Sequence, residues 1–128
     1  MGESCGADLE DEAVRKGLDA LRADAMSTAR AVGAKLASLR DERASTVTDD
    51  EHDPEGSTLT DEWALAKTQV DSAEASIAQI DAALARLDAG CYGVCLSCGR
   101  PITPARLAAR PTAENCIDCA RREQRRAR

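Results

Sequence analysis

Phenylalanine is absent from this 128-residue chain, and Trp63 and Tyr92 are its only aromatic residues. Much of the 43% hydrophobic share is alanine, so a large globular core is excluded. No run of about eighteen apolar residues occurs, which excludes a transmembrane helix and a membrane partner. The opening Met1-Gly2-Glu3-Ser4-Cys5 has no charged-then-apolar leader. These absences lead to the expectation of a soluble cytoplasmic protein, in a reducing compartment that leaves thiolates available for metal. There is one histidine, His52, and one His among acids is a poor metal signal. A βαβ pattern of the kind that frames a thioredoxin-like redox pair is missing too.

What is present is the composition of long helices, dominated by Ala, Leu, Glu, Asp and Arg. Charge is unevenly spread. From residue 100 onward eight Arg face three acids, giving +5, while the first 99 residues carry nine bases and twenty acids, giving −11; the two sum to the net −6. The chain is acidic with a basic tail.

Residues 1–8, with Gly2, Ser4 and Gly6, read as an irregular segment, and Cys5 within it as a free or partly packed thiol. From about Asp8 a helical pattern begins. Leu18, Leu21, Ala25, Thr28, Val32, Leu36 and Leu39 recur at steps of three and four, with Arg15, Lys16, Arg22, Asp24, Arg30, Lys35 and Arg40 off the stripe. Gly17 and Gly33 weaken this helix by about 1 kcal/mol each without ending it.

The periodicity stops between Ser45 and Thr58, where Pro54 and Gly56 are breakers and Asp49, Asp50, Glu51, Asp53 and Glu55 crowd five carboxylates into seven residues. Read alone, such a cluster is a solvated loop. A second stripe follows. Leu59, Trp63, Ala66, Val70, Ala73, Ile77, Ile80, Leu84 and Leu87 alternate steps of four and three, which is a coiled-coil seam. Thr58 and Thr60 are candidate N-caps, with Asp61 and Glu62 in the first turn, and Gly90 and Gly93 mark the far end. Two stripes of about thirty residues joined by a polar loop fold back most simply as an antiparallel hairpin. The predicted fold is therefore mainly α: a long antiparallel coiled-coil hairpin over residues 9–89 with an acidic tip at about 45–58, followed by a small module over 90–128 that ends in a basic helix.

Two C-x2-C pairs, Cys95-Leu96-Ser97-Cys98 and Cys116-Ile117-Asp118-Cys119, stand seventeen residues apart in that module. Each pair can curl around one ion, and the two together complete a tetrahedron of four thiolates. This predicts one structural Zn2+ held by Cys95, Cys98, Cys116 and Cys119. A closed four-thiolate site leaves no position for water, so the metal is not catalytic and an enzyme is the least favoured class. Cys91 falls on the next seam position and reads as a small packed residue. After the second pair, Ala120 to Arg128 is helix-compatible and rich in arginine; it either complements the helix dipole or contacts nucleic-acid phosphates.

Tyr92-Gly93-Val94-Cys95-Leu96-Ser97-Cys98-Gly99-Arg100-Pro101-Ile102, followed by Arg106-Leu107-Ala108-Ala109-Arg110-Pro111-Thr112-Ala113-Glu114-Asn115-Cys116-Ile117-Asp118-Cys119, closely resembles the zinc-finger signature of the bacterial DksA/TraR family of RNA polymerase-binding regulators. The preceding hairpin with its acidic tip is similar to the family's architecture as well. The resemblance implies a non-enzymatic transcription regulator whose partner is RNA polymerase, whose coiled coil enters the secondary channel, and which makes no sequence-specific DNA contact. A monomer is expected.

In the family the tip carries an Asp-x-x-Asp-x-Ala pattern, and counting back from the cysteines sets His52-Asp53-Pro54-Glu55-Gly56-Ser57 there. His52 stands where the first Asp would be, Glu55 replaces the second, and Ser57 replaces the Ala. The resemblance thus assigns the tip to Asp53, Glu55, Ser57, His52, Asp50 and Glu51. Family members often act together with ppGpp, but no matched residues here establish that site. Two other classes stay open on the residues alone: a nucleic-acid-binding zinc protein using the Arg-rich tail, and a zinc-stapled coiled-coil adaptor.

Overall fold

The computed structural model describes residues 11–46 and 54–127. They form four helices: α1 (Asp11–Thr46), α2 (Pro54–Asp88), α3 (Pro104–Ala109) and α4 (Ile117–Ala127). Among the described residues the pairing of extended backbone is limited to one antiparallel bridge, Val94 with Pro101. The mainly helical class expected from composition is the one observed. None of these helices is long and apolar enough to cross a membrane.

The long helices have 36 and 35 residues and reach further than the periodicity indicated. Proline accounts for part of the difference. Pro54 reads as a breaker, yet it is the first residue of α2, where its fixed φ suits the helix and its missing N–H costs nothing. Thr58 and Thr60 are consequently inside α2 and do not cap it, and Asp61 and Glu62 lie beyond the first turn. Gly17 and Gly33 interrupt α1 no more than expected, since the helix runs through both. The expected irregular segment 1–8 and the expected free Cys5 lie outside the described residues.

The chain divides into two compact units, Met1–Leu21 with Ala78–Arg128, and Arg22–Ile77. In the first, the start of α1 packs on the end of α2, which makes the pair antiparallel. Leu18, Ile80 and Ala83 form its buried cluster, with Val14, Leu84 and Tyr92 packed around them. Arg15 and Asp88 form an ion pair at the edge.

The second unit carries the remaining parts of α1 and α2. Leu39, Ala66 and Ala73 are its buried apolar residues among those described. Alanine buries little area, and Ala25, Thr28, Ser72 and Ala73 line a shallow open groove along the two helices.

All nine seam residues from Leu59 to Leu87 are buried or half-buried. The stripe read on α1 is only partly right, because Leu21 and Thr28 are exposed. From Leu18 the inward positions are instead Arg22, Ala25, Ala29, Val32, Leu36 and Leu39, again in steps of four and three. Arg22 escaped the sequence pattern because it carries a charge. It is half-buried, with Nη1 2.9 Å from Met26 Sδ.

Candidate metal centre

The end of α2 aims the chain into the cysteine module. Gly90 N–H donates to Leu87 O (3.1 Å) and Cys91 N–H to Arg86 O (2.8 Å), the paired bonds of a Schellman motif. That motif needs a left-handed residue at its turn, and Gly90 supplies it at φ 80°. The chain then crosses itself, with Cys95 N–H donating to Arg100 O and Ile102 N–H to Gly93 O, both at 2.8 Å. The first C-x2-C pair sits in this loop. Gly99 N–H donates to Cys95 O at 2.9 Å, and the positive φ of Gly99 (78°) reverses the chain just after Cys98.

Thr103 caps α3 by accepting from Arg106 N–H at 3.3 Å, and Pro104 occupies the first helical position. The short helix thereby presents two side chains to the centre. Leu107 packs against the cluster of Cys95, Ile102 and Cys119, and Arg106 Nε donates to Asn115 O at 2.8 Å. Asn115 Oδ1 in turn accepts from Ser97 Oγ at 3.2 Å and lies 3.7 Å from Cys95 Sγ. Leu96 N–H donates to Glu114 O at 2.9 Å, so the two cysteine loops are bonded to each other. Ser97, Arg106 and Asn115 are supporting residues that spacing rules for metal ligands could not single out.

The sulfurs of Cys95, Cys98, Cys116 and Cys119 all lie within 4.8 Å of one another. Cys98 and Cys116 Sγ are 3.9 Å apart, close to the edge of about 3.8 Å that a tetrahedron with Zn–S of about 2.3 Å requires. The donor set and its size therefore fit one zinc ion with no further position.

The thiols are electrostatically unequal. Burial pushes Cys95 up, but the backbone N–H groups of Cys116, Cys98 and Ser97, with Cys98's side chain, outweigh it and bring it down to about 6. Hydrogen bonding with the Cys116 thiol, then burial, pushes Cys119 up to about 12. A dication holding all four sulfurs must therefore displace the proton of Cys119.

Two side chains tie this centre to the end of α2. Tyr92 Oη donates to Pro111 O at 2.7 Å, and Arg86 Nη2 reaches Thr112 O at 3.4 Å while Nη1 stands 3.9 Å from Glu114 Oε2. Burial raises the Tyr92 hydroxyl above its ordinary value, with Arg86 opposing. Cys91 is outside the four-sulfur cluster, as its spacing required, but it is disulfide-bonded and not the packed thiol expected. Of the tip residues, Asp50, Glu51, His52 and Asp53 lie outside the described residues. Glu55 and Ser57 fall in the first turn of α2.

A helical coiled-coil protein carrying a four-cysteine zinc finger is the class that this fold and site define. Residues 90–125 match the family model described as the prokaryotic dksA/traR C4-type zinc finger. The chain is 48% identical over 52 residues to the RNA polymerase-binding transcription factor DksA of Caulobacter vibrioides, covering 41% of this chain and 37% of that protein. With the protein of the same name in Haemophilus influenzae it shares 40% over 62 residues, 48% of this chain and 43% of the relative. The matches thus span well under half of the relatives' own lengths. Transcription factor DksA2 from Pseudomonas aeruginosa has a similar structure, with TM-score 0.55 and 25% identity over 94% of this chain and 92% of that one. Together these findings make the chain similar to the DksA/TraR family in its zinc finger and similar in fold to DksA2.

Proposed function

We propose that this protein is a non-enzymatic transcription regulator that binds RNA polymerase and inserts the tip of its coiled coil into the secondary channel. The observation that carries the reading is the structural likeness to a transcription factor over nearly the whole chain, so that hairpin and finger are matched together. The printed name of the Caulobacter and Haemophilus relatives, RNA polymerase-binding transcription factor, supplies the partner.

In this reading the finger is a scaffold. Cys95, Cys98, Cys116 and Cys119 hold zinc, and zinc supplies folding energy to the module without touching substrate. Arg86 and Tyr92 fasten the module to the end of α2. The working groups are the carboxylates of Asp53 and Glu55, flanked by Asp50, Glu51, His52 and Ser57. Carboxylates are hard oxygen ligands, suited to a magnesium ion or to the cationic groups around one. The protein acts in the cytoplasm as a monomer, and ppGpp is a candidate co-effector to be tested beside it.

Purified core polymerase and the zinc-loaded protein test the proposal. The expected result is a stable complex, with crosslinks from position 53 to the polymerase active centre. The double variant Asp53→Ala/Glu55→Ala keeps the complex and loses the effect on transcription. Regulation unchanged in that variant overturns the role of the tip, and absence of a complex overturns the partner.

A further inference from the structure

Helix α4 leaves the metal centre with only its first turn held. Cys119 is buried and Ala120 half-buried, while residues 121–127 are exposed without exception. At about 100° per residue, Arg121, Arg122, Arg125 and Arg126 fall within about 140° of one face, with Asp118 at the N-terminal end of the same arc, one turn before Arg121 and Arg122. Two arginines nearer the centre are occupied: Arg86 by Thr112 and Glu114, Arg106 by the Asn115 carbonyl. The four on α4 take part in no side-chain hydrogen bond or ion pair among the described residues.

This arrangement is unfavourable in the free chain. Arg121 with Arg125, and Arg122 with Arg126, are like charges one helical turn apart, which weakens a helix. Eleven residues are also too few for an isolated helix to be stable in water. The C-terminal dipole offsets some of this for Arg125 and Arg126. A polyanion laid along the face would relieve the repulsion and order the helix at the same time.

We propose that the arginine face of α4 binds the phosphate backbone of duplex DNA without reading sequence. The chemistry of the face selects this occupant. Guanidinium groups match phosphate oxygens in bidentate geometry. Protein interfaces are anchored by buried aromatic or large apolar side chains, and this arc contains none. Ile117, the one large apolar residue of α4, lies outside the arc. Single strands are held by stacking on aromatics; the sole aromatic of the module, Tyr92, is half-buried with its hydroxyl committed to Pro111. Backbone contacts carry no sequence information, so the inference is compatible with a regulator that recognises no particular promoter. It is independent of the polymerase reading.

Full-length zinc-loaded protein is titrated, at several salt concentrations, into a fluorescent duplex of about 30 base pairs of arbitrary sequence. Four arginines on phosphates give log K against log[salt] a slope of about −3.6, from about −0.9 per phosphate. Arg121→Gln/Arg125→Gln is expected to halve that slope, and Arg121→Lys/Arg125→Lys to preserve it. Far-UV circular dichroism and zinc content check that each variant folds, and the lysine pair carries the test if the glutamine pair does not. An undiminished slope in a folded glutamine variant overturns the proposal. So does tighter binding to polyglutamate or to a single strand of equal length, the former pointing to an acidic protein partner. No binding to duplex at low salt also overturns it.

Discussion

The Tyr92 hydroxyl donates to the carbonyl of Pro111 across nineteen positions of sequence, at 2.7 Å, and so joins the turn that follows α2 to the loop that leads into the second cysteine pair. Tyr92 packs at the same time against Leu18, Ile80 and Ala83. Replacing it with Phe keeps the ring and deletes the bond, leaving a half-buried carbonyl without its donor. Tyr92→Phe should destabilise the first unit by about 1 kcal/mol. Amide exchange should rise around residues 111–115 while the zinc content stays the same.

Removing the metal should unfold the cysteine module. Its apolar cluster consists of Cys95, Ile102 and Cys119 with Leu107 and Cys116, so three of its five members belong to the four-sulfur cluster that fits the metal. Apparent zinc binding energies of about 10 to 16 kcal/mol are folding energies in modules of this kind. A strong chelator at neutral pH should abolish the helicity of α3 and α4 and expose residues 93–127 to protease. Retained protease resistance there would show that the metal is not structural.

Zinc affinity should fall steeply as pH falls. In the metal-free centre Cys119 is pushed up to about 12, so it is protonated throughout the neutral range and must lose its proton to bind. One such thiol makes the affinity drop about tenfold for each pH unit of acidification. Cys95, brought down to about 6, adds a further loss only once pH passes below that value. Competition against a zinc indicator between about pH 6 and about pH 8 measures the slope, and a flat profile would contradict it.

Glycines of the two kinds should respond in opposite directions. Gly17 is exposed within α1, and a Cβ there would meet nothing within 4 Å, so Gly17→Ala should stabilise by about 1 kcal/mol. Gly93 has φ +85°, and its Cβ would stand 3.4 Å from Leu107 Cδ1. Gly93→Ala should therefore cost about 1 to 2 kcal/mol through backbone strain. Thermal melts of the two variants compare them directly.

The amino-acid order alone determined the helical class, the heptad seam of α2 and which four cysteines come together. Each is a local pattern: a repeat of 3.5 residues points one stripe to a partner, and two C-x2-C pairs carry their geometry in their spacing. The end of α2 was legible for the same reason, since the turn needs a residue at positive φ and Gly90 provides it. Only the tertiary structure decided which residues of α1 face inward. Leu21 is apolar but exposed, and Arg22 is charged but half-buried, because burial depends on where the partner helix lies and not on hydrophobicity alone. The true start of α2 was hidden by Pro54, which breaks a helix in its interior and opens one at its first position. The supports of the metal centre were beyond the sequence for a further reason. Ser97, Arg106 and Asn115 act through contacts that join separate loops, as do Tyr92 and Pro111, and such pairings exist only once the chain has closed around the four sulfurs.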